Sequence, residues 1–441
     1  MLVQAAKTPG GIAAADAAPV RSGRTVAVVG AGVGNVLEWY DFTVYAYLAG
    51  IIGKLFFDST NETAALLATF AVFGVGFVAR PIGGILIGLF GDRYGRKPAL
   101  LLTFAMIAVS TGVIGLLPTY ASIGLAAPIL LVIARLMQGV SAGGEWGGAA
   151  SFLVEWAPPN RRGFFGSMHP CAICIGQLLG AGVTAGLTTT LGPEAMSEWG
   201  WRVPFLLGGL IAPIGFLVRQ RVHETPAFKQ AAAAPAATEG STGVPPFSMA
   251  KAMLLAFAFP VLQSVLTYVF LSYFPTFGQR YLGLSASTAL WSTVVATAVM
   301  GASSLASGAL SDVYGRRTCL LAACGLSLVL AYPLIHLMLD GAPAGRIVAL
   351  HVAFAAINGL FLGALASALV ELFPTARRMT GLTTAYNLQS MLFGGFAPFI
   401  ASWLIATTGQ PISLAFFVML GAVLSGLAVL ALRETAHEQL Q

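Results

Sequence analysis

The chain has 441 residues, 57% hydrophobic and 9% charged, with a formal net charge of +6 and a mean hydropathy of +0.82. Soluble domains carry roughly a quarter charged residues, so this composition excludes an ordinary soluble core. The basic excess raises nucleic acid as a partner, but where the bases fall removes it.

Residues 1–24 are rich in Ala, Gly and Pro, with no apolar run before Arg21 and Arg24, so the tail does not read as a signal peptide. Twelve apolar stretches follow, each near the roughly 20 residues that cross a bilayer. They begin near Thr25, Ala64, Pro98, Ser122, Gly163, Trp201, Ser248, Ser285, Thr318, Gly345, Thr380 and Pro411. The expected architecture is all-α and membrane-integral, with six helices in 25–222 and six in 248–433. Between them, 223–247 contains Ala231 to Pro235, Glu239 to Gly243 and Pro245-Pro246, a linker composition; 434–441 is a short tail. Arg80 and Arg135 fall inside helices, and Lys54, Arg202, Arg280 and Arg346 on one side. The other 17 of the 23 Lys and Arg (23 less these six) fall on the opposite side. The positive-inside rule makes that side, with both termini, cytoplasmic.

Helix 1 opens on Gly30-Ala31-Gly32-Val33-Gly34-Asn35, which imitates a dinucleotide-binding turn but fails at Asn35, and no soluble βαβ unit follows. Asn35, Glu38, Asp41 and Tyr45, at offsets of 0, 3, 6 and 10, share one helical face. An Asp, Lys or Arg at the centre of a spanning helix costs about 2.5–3.5 kcal/mol on insertion scales. These acids therefore either neutralise Arg80 or Arg135 structurally or carry protons. Helix 4 places Arg135, Gln138 and Glu145 in one sector. Its Gly139-Val140-Ser141-Ala142-Gly143 matches a nucleophile elbow but lies mid-helix, where that corner cannot form. In helix 5, His169 and Gln177 share a broad face beside Pro170, and Cys171/Cys174 read as packing rather than redox residues. The five histidines are scattered, so no metal site and no cofactor is expected. Small pairs at i and i+4, Gly84/Gly88, Gly139/Gly143/Gly147, Gly144/Gly148, Gly176/Gly180 and Gly182/Gly186, read as helix-packing surfaces.

The second half offers neutral groups: Gln263, Tyr268 and Tyr273 in helix 7, His351 and Asn358 in helix 10, and Tyr386 and Asn387 in helix 11. Its other signal is repetition. Gly91-Asp92-Arg93-Tyr94-Gly95-Arg96-Lys97 returns as Ser311-Asp312-Val313-Tyr314-Gly315-Arg316-Arg317. Glu155-Trp156-Ala157-Pro158-Pro159-Asn160-Arg161-Arg162 likewise returns as Glu371-Leu372-Phe373-Pro374-Thr375-Ala376-Arg377-Arg378. The chain is a tandem duplication, the usual basis of a site opening alternately to two sides of a membrane.

These loops, with Gly34-Asn35-Val36-Leu37-Glu38-Trp39-Tyr40-Asp41-Phe42, Arg80-Pro81-Ile82-Gly83-Gly84 and Arg135 to Glu145, resemble the metabolite:proton symporter branch of the major facilitator superfamily. Tyr273 to Gly278 and Phe393 to Pro398 are most similar to its citrate/tricarballylate importers. The resemblance implies two pseudo-symmetric six-helix bundles and a monomeric secondary transporter, not an enzyme, in the bacterial inner membrane. It would import a di- or tricarboxylate with protons. Other cargoes of the branch are α-ketoglutarate, shikimate and proline or betaine, and proton-antiport export is the other direction. The osmolyte members carry a C-terminal extension, and few residues follow Arg433 here. Arg135, Gln138, Asn35, Tyr45, His169, Gln177, Tyr268, Tyr273, Asn358, Tyr386 and Asn387 are the expected substrate contacts, and Glu38 and Asp41 the proton carriers. Asp92, Arg96 and Glu155 would form one cytoplasmic gate, and Asp312, Arg316 and Glu371 its counterpart. The membrane potential, worth about 2.3 kcal/mol per charge per 100 mV, opposes entry of an anion. A trianion therefore needs at least three protons to escape that penalty.

Overall fold

Each of the twelve spans expected from the sequence contains a described helical segment, the first over 35–56 and the sixth over 202–210. A computed structural model of the chain describes residues 35–57, 61–94, 96–143, 145–210, 248–374, 378–436 and 438. The expected tail 1–24 and linker 223–247 lie outside the described residues. The segments are α1 (35–56, with a turn at Leu48), α2 (Glu62–Tyr94), α3 (Arg96–Leu116), α4 (Ala126–Glu155), α5 (Arg162–Gly200) and α6 (202–210). After them come α7 (Met249–Tyr281), α8 (Ala286–Tyr314), α9 (Arg316–Leu339), α10 (Ala344–Glu371), α11 (378–408) and α12 (Ser413–Leu430). Among the described residues no strand occurs, as expected where lipid leaves backbone groups no partner outside a helix or closed barrel.

Packing repeats with the sequence. In the first half α2 lies along α4, and in the second α8 lies along α10. α3 meets α6 where Gly112 faces Gly209, as α9 meets α12. Between the halves α2 meets α11 and α5 meets α8, two contacts that exchange when every helix is shifted by six places. The molecule is two six-helix bundles related by that pseudo-symmetry.

Small residues set the α2–α4 distance. A Cβ on Gly139 would stand 1.9 Å from the Gly76 carbonyl oxygen, one on Gly143 2.1 Å from that of Arg80, and one on Gly83 2.1 Å from that of Val140. Gly176 lies as tightly against Val36 of α1, and Gly147 against Thr383 of α11. The expectation of a packing role does not extend to Gly182 and Gly186, around which a Cβ would meet nothing within 4 Å; they lie where α5 has no close neighbour. Gly88 and Gly144 lie outside what is described.

Two helices deviate partway along their length and a third near its end. α7 breaks at Phe259-Pro260 and then widens into a π-helix over Tyr268–Tyr273, and α11 widens over Ser390–Gly395. Such π-helical turns are common at functional sites. α5 carries Pro170 without interruption and kinks instead at Gly192, whose φ is 74°.

The close α2–α4 contact yields a contrast. Gly143→Val should lower the thermal unfolding midpoint in detergent or prevent folding, since overpacking costs about 1–3 kcal/mol or more. Gly182→Ala should leave the midpoint unchanged. Equal effects in the two variants would contradict the contact.

Candidate functional site

Burial of charge in the first half requires partners. Arg80 on α2 is 1% exposed and its Nη2 stands 3.0 Å from Glu38 Oε1 on α1. Three aromatic rings surround its guanidinium: Phe77 at 4.3 Å, Phe42 at 4.6 Å and Trp39 at 5.8 Å. Asp41, one turn further along α1, takes a different partner: Thr111 Oγ1 of α3 donates to its Oδ2 at 2.6 Å. Gln138 Nε2 of α4 donates to that hydroxyl at 2.7 Å, and Arg135 Nη1 donates to Gln138 Oε1 at 2.8 Å. The result is a buried chain Arg135–Gln138–Thr111–Asp41 crossing three helices. Tyr45, Phe42 and Phe73 ring the Arg135 guanidinium at 4.4, 4.7 and 5.2 Å. Arg135 Nε and Nη2, its second edge, have no hydrogen-bond partner.

Between the halves lies a small cavity of about 20 Å³, room for a water molecule rather than a whole cargo while the halves are together. Its polar lining comprises His169 and Gln177 from α5 and Gln263 and Thr267 from α7; Trp39, Trp146 and Tyr386 form an aromatic wall. Trp146 of α4 stacks on Tyr386 of α11 at 3.7 Å across the interface. Of the expected substrate contacts, the structure brings His169, Gln177 and Tyr386 to this cavity. Arg135, Gln138 and Tyr45 are grouped behind it in the first half, Tyr45 donating to the Thr69 carbonyl at 3.1 Å. Asn35 is buried on α1, its Oδ1 unpartnered. Tyr268 packs on Trp39, and Tyr273 on Phe70. Asn358 Nδ2 donates to Thr267 Oγ1 at 2.8 Å, and Asn387 Nδ2 to the Gly143 carbonyl at 2.7 Å. Tyr268, Tyr273, Asn358 and Asn387 thus serve contacts between helices, and neither they nor Asn35 line the cavity. Cys174 also lines the cavity, and it and Cys171 are free thiols.

At the end bearing the duplicated loops, charges tie the halves together. Asp312 of α8 accepts the Gly163 and Phe164 amides at 2.7 and 2.9 Å, capping α5 from the opposite half, and pairs with Arg316 at 2.8 Å. Glu371 of α10 is paired with Arg316 at 3.5 Å and with Arg162 at 3.2 Å. Glu155 of α4 pairs with Arg378 of α11 at 2.6 Å. The side chains of Asp92, Arg96 and Glu145 are outside what is described. Glu155 therefore meets an arginine of the other half, while Asp312, Arg316 and Glu371 come together as a cluster. At the opposite end Glu62 meets Lys54 at 3.1 Å and Arg280 at 3.5 Å, and Thr189 Oγ1 lies 2.7 Å from Ser287 Oγ. Contacts bridge the halves on both sides of the cavity.

Sequence reasoning passed over Arg162 and Arg378 as site residues, although both stand in the duplicated Glu-to-Arg-Arg segments. It also missed Glu434 and Thr435 after α12. Glu434 accepts the Arg316 and Arg317 amides at 2.9 and 3.0 Å, and Thr435 Oγ1 donates to Glu371 at 2.6 Å. Gly315, φ 94°, leaves room for the Glu434 carboxylate where a Cβ would stand. A signal existed: Glu224-Thr225 after helix 6 matches Glu434-Thr435 after helix 12. Thr111, Trp39 and Trp146 had none, because their importance lies in what faces them.

Comparison with known proteins agrees with this architecture. The family described as sugar (and other) transporter matches residues 26–241 and 229–441. The chain is 35% identical to the citrate-proton symporter of Klebsiella pneumoniae over 434 residues, 97% of each chain. It is 33% identical to the proline/betaine transporter of Salmonella typhimurium over 424 residues, 94% of this chain and 84% of that one. Among solved structures, the major facilitator superfamily proton:xylose symporter XylE superposes with a TM-score of 0.76 at 20% identity, covering 95% of this chain and 98% of that one. At that identity the superposition speaks for the fold alone. With the family match spanning both halves, this chain belongs to the sugar (and other) transporter family of the major facilitator superfamily and is a membrane-embedded secondary transporter, not an enzyme.

Proposed function

We propose that the chain is a proton-coupled importer of an organic di- or tricarboxylate of the citrate type. It works by alternating access in a bacterial inner membrane, with both termini cytoplasmic. The observation that carries this reading is the unpartnered Nε–Nη2 edge of Arg135, the edge with which a guanidinium grips a carboxylate through two parallel hydrogen bonds. Phe42, Tyr45 and Phe73, of the same half, screen it, and turning these rings aside once the halves part gives the substrate access. Arg135 is linked to Asp41 through Gln138 and Thr111, and Arg80 is paired directly with Glu38. An anion that occupies either guanidinium leaves the corresponding acid without its counter-charge, which favours protonating that acid. Substrate and proton then bind cooperatively, and Glu38 and Asp41 are the carriers. The name of the Klebsiella relative supports the carboxylate.

In the same reading the Asp312–Arg316–Glu371 cluster and the Glu155–Arg378 pair form the cytoplasmic gate. The sequence repeat assigns Asp92 and Arg96 to the first loop's share of it.

A second reading has its own support. Trp39, Trp146 and Tyr386 wall the cavity and among the described residues no Lys or Arg lines it, which suits a quaternary ammonium held by aromatic faces; relatives named proline/betaine transporters point the same way.

Uptake into proteoliposomes separates these readings. Citrate should accumulate when the outside is made acid and fail to accumulate once an uncoupler collapses the gradient; accumulation of betaine unaffected by excess citrate would select the second reading. Glu38→Gln should abolish gradient-driven accumulation while keeping substrate counterflow, and full gradient-driven uptake in that variant removes Glu38 as a carrier. For the gate, Arg378→Glu should raise the alkylation rate of a cysteine introduced at Ser367, which is buried against Arg162. The double exchange Glu155→Arg/Arg378→Glu should return the rate toward the parent value; no change in either variant contradicts the gate.

A further inference from the structure

The cavity wall carries unmet hydrogen-bonding capacity of both kinds. Gln177 is fully buried, and neither its Oε1 nor its Nε2 has a partner. His169, two turns away on α5 and 1% exposed, has no partner on either ring nitrogen. Whichever way the Gln177 amide is turned, it presents one acceptor and one NH₂ donor; a neutral imidazole presents one of each in either tautomer. Across the cavity, Gln263 Nε2 is spent on Thr267 Oγ1 at 3.0 Å, and Gln263 Oε1 is left without a donor.

A carboxylate satisfies only half of this wall. Its oxygens accept, so they can take the amide and imidazole N–H groups, but they offer nothing to the Gln177 and Gln263 carbonyl oxygens. A quaternary ammonium brings no N–H or O–H donor either. A buried acceptor left unsatisfied is penalised by its full loss of hydration, so a wall of this composition discriminates against cargo without donors. We infer that the cargo is a hydroxylated carboxylic acid, whose hydroxyl donates to Gln177 while accepting from the same amide or from His169. This rests on the carboxylate reading above and narrows it: the acid groups identify the class, and Gln177 selects the hydroxy acid within it.

Two pairs of acids isolate the hydroxyl: citrate against tricarballylate, and malate against succinate, each differing by one hydroxyl at constant carboxylate number. Affinities are measured by isothermal titration on the purified full-length protein. The hydroxy acid that binds should do so roughly tenfold or more tightly than its deoxy partner. Gln177→Leu should reduce that preference to about twofold or less by weakening the hydroxy acid more than the deoxy acid. Equal affinities within a pair overturn the inference and leave the carboxylate reading standing, as does a Gln177→Leu variant that weakens both members alike. Binding of none of the four acids overturns the carboxylate reading and this inference with it. The comparison within a pair uses the unmodified protein, so a variant that fails to fold does not remove the test.

Discussion

Two guanidinium groups buried in the first half, each needing an acid it can find only on another helix, are the constraint from which the site follows. Arg80 and Arg135 are 1% and 0% exposed, and a charge left alone at such depth is strongly unfavourable. Glu38 answers one directly. Asp41 answers the other through Thr111 and Gln138, so α1, α2, α3 and α4 are drawn together by one balanced set of two cations and two anions. That balance is also what a charged cargo or a proton disturbs. Removing either acid's charge, or supplying a carboxylate to either guanidinium, changes which helices the remaining charges hold. Among the described residues, the second half's buried charges, Arg316, Glu371 and Arg378, stand at the loop-bearing helix ends; midway along its helices there is no Asp, Glu, Lys or Arg, and His351 is held between Ser292 and the Phe270 carbonyl. The duplicated fold thus supplies the moving parts, while charge chemistry belongs to one half.

The closed ends show how those parts are held. On the loop-bearing side three bridges cross the pseudo-symmetric interface: Asp312 caps α5, Glu371 takes Arg162 and Glu155 takes Arg378. Such bridges can be exchanged for water without breaking either bundle, whereas the glycine contacts of α2 with α4 leave no freedom within a bundle. Rigid halves and a polar seam favour rocking of one bundle against the other over deformation inside either. Glu434 and Thr435, after α12, join the seam through Arg316, Arg317 and Glu371.

Much of this was legible in the chain. Twelve apolar stretches, the returning Asp-x-Tyr-Gly-Arg loop and the Glu-to-Arg-Arg segments specify the helix number, the duplication and the placement of the seam. The face formed by Glu38 and Asp41 was visible from spacing alone. What spacing could not supply was the partner. Residues three apart on one helix lean toward different neighbours, so Glu38 meets α2 and Asp41 meets α3. Arg135 was expected at the substrate, and in the closed arrangement it stands behind an aromatic ring set whose members come from α1 and α2. Trp39 and Trp146 read as ordinary apolar positions because an aromatic wall is defined by the gap it faces. Gly182 and Gly186 carry the same spacing as Gly139 and Gly143 but face no close neighbour, since small-residue spacing marks a possible contact surface without naming a contact.

The central claim is that an anionic cargo taken up by a first-half guanidinium drives a proton onto the acid that loses its counter-charge. Calorimetry of substrate binding to the purified protein, in two buffers of different ionisation enthalpy, measures it most directly. The account predicts net proton uptake on binding, so the observed enthalpy should depend on the buffer, and this dependence should disappear in a Glu38→Gln/Asp41→Asn variant that still binds. Tight binding with the same enthalpy in both buffers, and hence no proton taken up, would contradict it.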